Sequence, residues 1–183
     1  MRYSLLFFTL NLLLFCTVGC ERAQLRTQFK GLTTNTIILP KKINCVNNGE
    51  VYQMPDSLEN KPKMIIYVDS TECTTCRISH LDMYHSLLHL SEQKKSFELM
   101  ILFYNSKVFE DVPLETYLSR LQMETPVYID VENTFLKNNP IIPSDPRMHS
   151  FLINSLGKPI FVGDPVSSEK LKKSFLRAID ESL

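Results

Sequence analysis

Met64-Ile65-Ile66-Tyr67-Val68-Asp69-Ser70-Thr71-Glu72-Cys73-Thr74-Thr75-Cys76-Arg77 is the stretch that decides the fold of this chain. Its first five residues are continuously apolar, β-branched or aromatic, which suits a strand buried on both faces. Asp69 or Ser70 ends that strand. Further on, Ile78, Leu81, Tyr84 and Leu88 recur at helical spacing, widened by His85 and Leu87, and predict a helix over 78–90. The two cysteines thus stand where a short loop opens a helix, with Ser70 or Thr71 as the candidate cap. A thiol in the first helical turn meets unpaired N–H groups and the positive end of the helix dipole, and both favour thiolate. A spacing of three lets the two sulfurs close a disulfide across one turn. Cys73 is then the exposed nucleophile, and Cys76, deeper in the helix, the resolving thiol. The spacing alone also fits half of a zinc site or a structural disulfide.

Outward from this stretch the elements alternate. Phe97 to Tyr104 and Pro126 to Asp130 read as two more strands, and Pro113 to Leu121 as a helix starting at Asp111 or Val112. Glu132 to Lys137 forms a helical turn, followed by a Pro-rich loop from Asn139 to Pro146. Ser150 to Ile153 and Pro159 to Gly163 are strands joined by the turn Ser155 to Lys158. That turn is too short for a parallel crossover, so these two strands form an antiparallel hairpin, and the leading Pro159 suggests a sheet edge. Ser167 can cap a last helix over 168–180. Toward the N-terminus, Thr36 to Leu39 reads as a short strand. The stretch 41–63 is turn-rich, with Asn47-Asn48-Gly49 its clearest turn and Val51-Tyr52 a candidate edge strand. The fold class is α/β: a central mixed sheet flanked by helices, in one domain over 37–183.

Before that domain lies a positive residue, Arg2, and an apolar run from Leu5 to Phe15. Cys16-Thr17-Val18-Gly19-Cys20 and a polar stretch follow. This is the pattern of an export signal, with a core too short for the ~20 residues that span a bilayer as a helix. Gly19 before Cys20 resembles a bacterial lipoprotein signal, although Thr17 stands where an aliphatic residue is usual. Residues 1–19 are then the signal peptide, Cys20 the lipidated residue and 20–36 a tether. A lipid anchor would place the domain in the cell envelope, on the periplasmic side or at the outer membrane. Cys45, Cys73 and Cys76 remain in a compartment where disulfides persist.

Composition excludes several classes. The 183 residues hold 20 Lys plus Arg and 20 Asp plus Glu, a formal net charge of 0, so nothing favours nucleic acid as a partner. With 44% hydrophobic and 22% charged residues the chain is globular rather than disordered. Three cysteines cannot staple a domain of this length, so a hydrophobic core must hold it.

Three segments carry a family resemblance: 64–84, 125–145 and 149–165 with the last helix. The chain resembles thioredoxin-fold proteins, specifically the exported thioredoxin-like and TlpA-like lipoproteins of Bacteroidetes. Ser150-Phe151-Leu152-Ile153-Asn154 with Gly157-Lys158 is similar to that branch's strand and turn. The resemblance implies a thiol-disulfide oxidoreductase acting on client protein thiols and disulfides, recycled by a membrane-linked dithiol partner, with no cofactor.

The chain departs from the family pattern beside the cysteines. Met148 stands where the family places a cis-proline, and Pro146 lies two residues early. Thr74-Thr75 replaces the usual Gly-Pro or Pro-Pro between the cysteines. Glu72 replaces a tryptophan, and its charge should raise the Cys73 pKa against the helix terminus, while Arg77 favours thiolate. His149 is either a solvent-facing loop residue or an active-site neighbour. In the latter case Cys73, Cys76 and His149 could hold copper, as a copper-chaperone branch of the superfamily does, though that branch spaces its cysteines CxxxC. Asp69 is a strand-end cap or a proton-transfer group. His85 and His89, four apart on one helix face, could chelate a metal or are surface or half-buried helix residues; His80, four after Cys76, sits beneath the pair or is ordinary packing; and Cys45 is buried and inert or a third redox partner.

Overall fold

The computed structural model describes residues 22–104, 107–109 and 112–183. The signal peptide, Cys20 and Asp111 lie outside the described residues. Helix α1 covers 22–34, within the stretch read as a tether, and its Leu32 is fully buried. Then follow β1 (Asn44–Asn47), β2 (Glu50–Gln53), β3 (Lys63–Val68), α2 (Thr74–Ser79), α3 (His85–Lys94) and β4 (Glu98–Phe103). A short hairpin, β5 (Lys107–Phe109) and β6 (Val112–Pro113), precedes α4 (Leu114–Leu121) and β7 (Val127–Ile129). The chain ends with α5 (Thr134–Asn138), β8 (Ser150–Ile153), β9 (Pro159–Val162) and α6 (Glu169–Ser182).

Seven strands form one mixed sheet in the order β2-β1-β7-β4-β3-β8-β9. β3 pairs parallel with β4, and β4 with β7. β8 runs antiparallel to β3 and to β9, so the expected hairpin and the Pro159 edge both hold. All six β3 residues are buried. Because side chains alternate across a strand, Met64, Ile66 and Val68 enter one core with Leu87, Phe97, Phe175 and Ile179. Ile65 and Tyr67 enter a second core on the other face, with Leu32, Phe135 and Phe151. Helices cover both faces, and the C-terminal end of β3 delivers the cysteines.

Four local readings differ from the structure. β1 lies in the stretch read as turns, joined to β2 through Asn48 (φ 49°) and Gly49 (φ 82°), two left-handed positions that suit a tight hairpin. Residues 36–39 are not a strand. Their backbone is satisfied otherwise: Ile37 N donates to Gly157 O at 2.8 Å, and the Asn139 amide both accepts from Ile38 N and donates to Ile38 O, each at 2.8 Å. The helix expected over 78–90 is broken, with a 3-10 turn (Leu81–Tyr84) between α2 and α3 that lets Leu81 and Tyr84 both reach the core. The last helix is capped by Ser168, not Ser167, through Ser168 Oγ and Leu171 N.

Candidate active site

β3 ends at Val68, and Asp69 turns the chain: its Oδ1 accepts from Thr71 N at 2.8 Å and from Thr71 Oγ1 at 2.5 Å. These two bonds fit the strand-end cap reading of Asp69. The helix cap is neither Ser70 nor Thr71. It is Cys73 itself, in extended conformation, whose Sγ accepts from Cys76 N at 3.4 Å. Thr75 Oγ1 lies 3.4 Å from the same sulfur, and Thr74 is buried beneath the turn. Both cysteines are free thiols and exposed.

These contacts separate the two thiols. The Cys76 thiol, the Thr75 hydroxyl and the Cys76 N–H stabilise a Cys73 thiolate and hold that group down at about 7. Cys76 moves the other way, because its proton is retained by hydrogen bonding to Cys73. These contacts thus pull the two thiols in opposite directions, Cys73 toward thiolate and Cys76 toward thiol. The Glu72 side chain has Oε2 3.2 Å from Arg77 Nε and Oε1 3.8 Å from His149 Nδ1.

His149 is 2% exposed, so it is not the solvent-facing loop residue of one expectation. It ends a loop in which Pro146 to Met148 form a 3-10 turn. Its Nε2 meets Pro143 O at 2.8 Å, its carbonyl accepts from Tyr67 N at 2.9 Å, and its ring packs 5.3 Å from that of Tyr67. Among the described residues no peptide bond is cis, and Pro146 starts the 3-10 turn rather than shifting into the family's cis-proline position. Met148 is buried in the core with Phe135 and Phe151. Asp145 accepts from Arg147 Nη2 at 2.6 Å, and that guanidinium holds its carboxyl below the usual range.

The three candidate copper ligands do not converge: among the described residues no three His, Cys, Asp or Glu side chains come together as a metal site. His85 Nδ1 lies 3.8 Å from Glu124 Oε2, and both side chains are exposed. His80 is exposed, with Nδ1 donating to Cys76 O at 2.7 Å, a tie to the backbone of the second cysteine. Cys45 is buried on β1, separated from β3 by β7 and β4, and burial pushes its thiol up. Tyr84, whose Oη donates to Asp164 Oδ2 at 2.8 Å, fastens the turn after α2 to the segment between β9 and α6, and was not foreseen.

No family model and no curated protein matches the chain. Solved structures do. A thioredoxin peroxidase I from Plasmodium yoelii is 14% identical with a TM-score of 0.54, covering 80% of this chain and 89% of its own. A protein from Bacteroides thetaiotaomicron assigned as a protein disulfide isomerase is 14% identical with a TM-score of 0.51, over 81% of this chain and 88% of its own. A protein from Chlorobium tepidum assigned as the thiol:disulfide interchange protein DsbE is 17% identical with a TM-score of 0.50, over 79% and 98%. At such identities the likeness is one of fold. The chain has a thioredoxin-like fold, with its CxxC pair at the start of α2.

Proposed function

We propose that the protein is a thiol-disulfide oxidoreductase acting on client protein disulfides, exported and tethered to the cell envelope through a lipid on Cys20. One observation carries the activity: the Cys73 sulfur caps α2 and accepts the Cys76 N–H, a contact that favours its thiolate. In the reductive direction Cys73 thiolate attacks a client disulfide. A mixed disulfide forms and one client thiolate leaves. Cys76 then loses its proton and attacks Cys73 Sγ, the second client thiol departs, and a Cys73–Cys76 disulfide remains. The two electrons are restored by an external dithiol, which we assign to a membrane-linked partner. No cofactor is needed, since the electrons travel as thiol pairs.

The envelope placement rests on the Leu5–Phe15 run and Gly19-Cys20. No helix among the described residues is long and apolar enough to cross a membrane. The activity is tested by incubating the reduced full chain with a disulfide-bonded protein and following client thiols. Release that is lost in Cys73→Ser, with a stable mixed disulfide accumulating in Cys76→Ser, is expected. Equal release by the Cys73→Ser variant would overturn the assignment.

A further inference from the structure

Behind Cys73 lie polar atoms that the exchange reaction leaves unused. Glu72 Oε1 and His149 Nδ1 are both buried, both lack a hydrogen-bond partner, and they stand 3.8 Å apart. His149 Nε2 lies 2.8 Å from Pro143 O. A carbonyl only accepts, so Nε2 bears a proton. In a neutral imidazole that is the ring's single N–H, and Nδ1 would turn a lone pair toward a buried carboxylate. Two acceptors left facing each other away from water are costly. One further proton between them removes the conflict. Glu72 Oε2 is already engaged by Arg77 Nε at 3.2 Å, and the further proton is placed on Nδ1.

We propose that His149 is a protonated positioning residue for Cys73: its imidazolium, acting through Glu72, holds that carboxylate inward and keeps its charge off the Cys73 thiolate. The inference deepens the exchange reading and rests on Cys73 being the nucleophile. It also explains how a glutamate directly before the nucleophile coexists with an acidic thiol. A buried carboxylate is tolerated when paired, and Glu72 lies between two cations. Together with Arg77 and His149 it leaves a net positive charge behind Cys73. With His149 neutral, that net charge falls to zero.

The surroundings agree from every side. Glu72 and Asp69 face the ring from the segment before α2, and Asp145 from its own loop. Tyr67 faces it from β3, its hydroxyl buried and itself held far above its usual range by burial. Burial disfavours the imidazolium, but Glu72, the Pro143 carbonyl and Asp69 outweigh it and raise His149 above its ordinary value.

The test follows protons on the reduced full chain rather than turnover. Ring-nitrogen chemical shifts are expected to show His149 protonated on both nitrogens at pH 6.5, and its titration to move lower in Glu72→Gln. The pH profile of Cys73 alkylation by iodoacetamide is expected to move up by about one unit in His149→Gln, about five-fold less thiolate at pH 7. It should return in the Glu72→Gln/His149→Gln double variant. An unprotonated Nδ1 in the native chain at pH 6.5 would overturn the proposal. So would an unmoved profile in folded His149→Gln, or a double variant that behaves like the single one. If His149→Gln does not fold, the imidazole shifts of the native chain and Glu72→Gln decide. A chain with these shifts that exchanges no disulfides would overturn the exchange reading alone.

Discussion

Cys73 Sγ accepts the N–H of Cys76 at 3.4 Å, so the proposed nucleophile caps the helix that carries its partner. Structure and reactivity are joined in one atom. Serine can take over the cap and alanine cannot. Cys73→Ala is expected to lose about 1 kcal/mol of stability relative to Cys73→Ser, while both variants lose exchange. Chemical denaturation of the two checks it, and equal midpoints would mean that the cap contributes nothing.

Thr75 supplies the second contact to that sulfur, at 3.4 Å. In Thr75→Val the hydroxyl is gone with little change of shape, so the Cys73 pKa should rise from about 7. Alkylation should slow at pH 7 and converge with the native rate above about pH 9, where Cys73 is ionised in both chains. Identical profiles at neutral pH would show that Thr75 does not act on the thiolate.

His149 makes stability depend on pH with a definite sign. Its folded-state pKa is raised. Its contribution is therefore fully present below the ordinary histidine value and is lost as pH rises through the raised one. Cys73, with its lowered pKa, contributes in the opposite sense, gaining above its ordinary value and losing as pH falls toward 7. The experiment thus belongs in Cys73→Ser. Denaturation midpoints should decline from pH 6 toward 8, and Glu72→Gln should flatten the decline. A slope indifferent to Glu72 would remove the pair from the account.

Asn139 is 2% exposed, and its amide replaces a strand partner for Ile38 while also donating to Phe135 O at 2.7 Å. Asn139→Leu strands a buried carbonyl and frees the 36–39 segment. A loss of about 2 kcal/mol is expected, with faster amide exchange at Ile38. Native-like exchange at Ile38 would contradict the splint.

What the sequence made legible follows from periodicity and punctuation. β3, β4 and β7 are apolar on both faces, so their runs are unbroken and easily seen. The Gly157 turn and Pro159 gave the terminal hairpin, and the CxxC placed after β3 gave the thiol pair. β1 was missed because two of its four residues are asparagines. It is a strand through pairing with Tyr128 and Ile129 on β7, a tertiary cause. Thr36 to Leu39 look like a strand and are not, since their hydrogen bonds go to a side chain and a turn. His149 could not be placed, because its partners include Tyr67 and Glu72, which are distant in sequence. The same contacts leave Glu72 paired with Arg77 and His149.

The central claim is that Cys73 and Cys76 interconvert between dithiol and disulfide at potentials where protein thiols exchange. Equilibrating the protein against glutathione buffers, and trapping the thiols, tests it most directly. The account predicts a midpoint between roughly −120 and −270 mV, the range of known exchange proteins. A disulfide that stays closed below about −300 mV, or thiols that never pair, would contradict it.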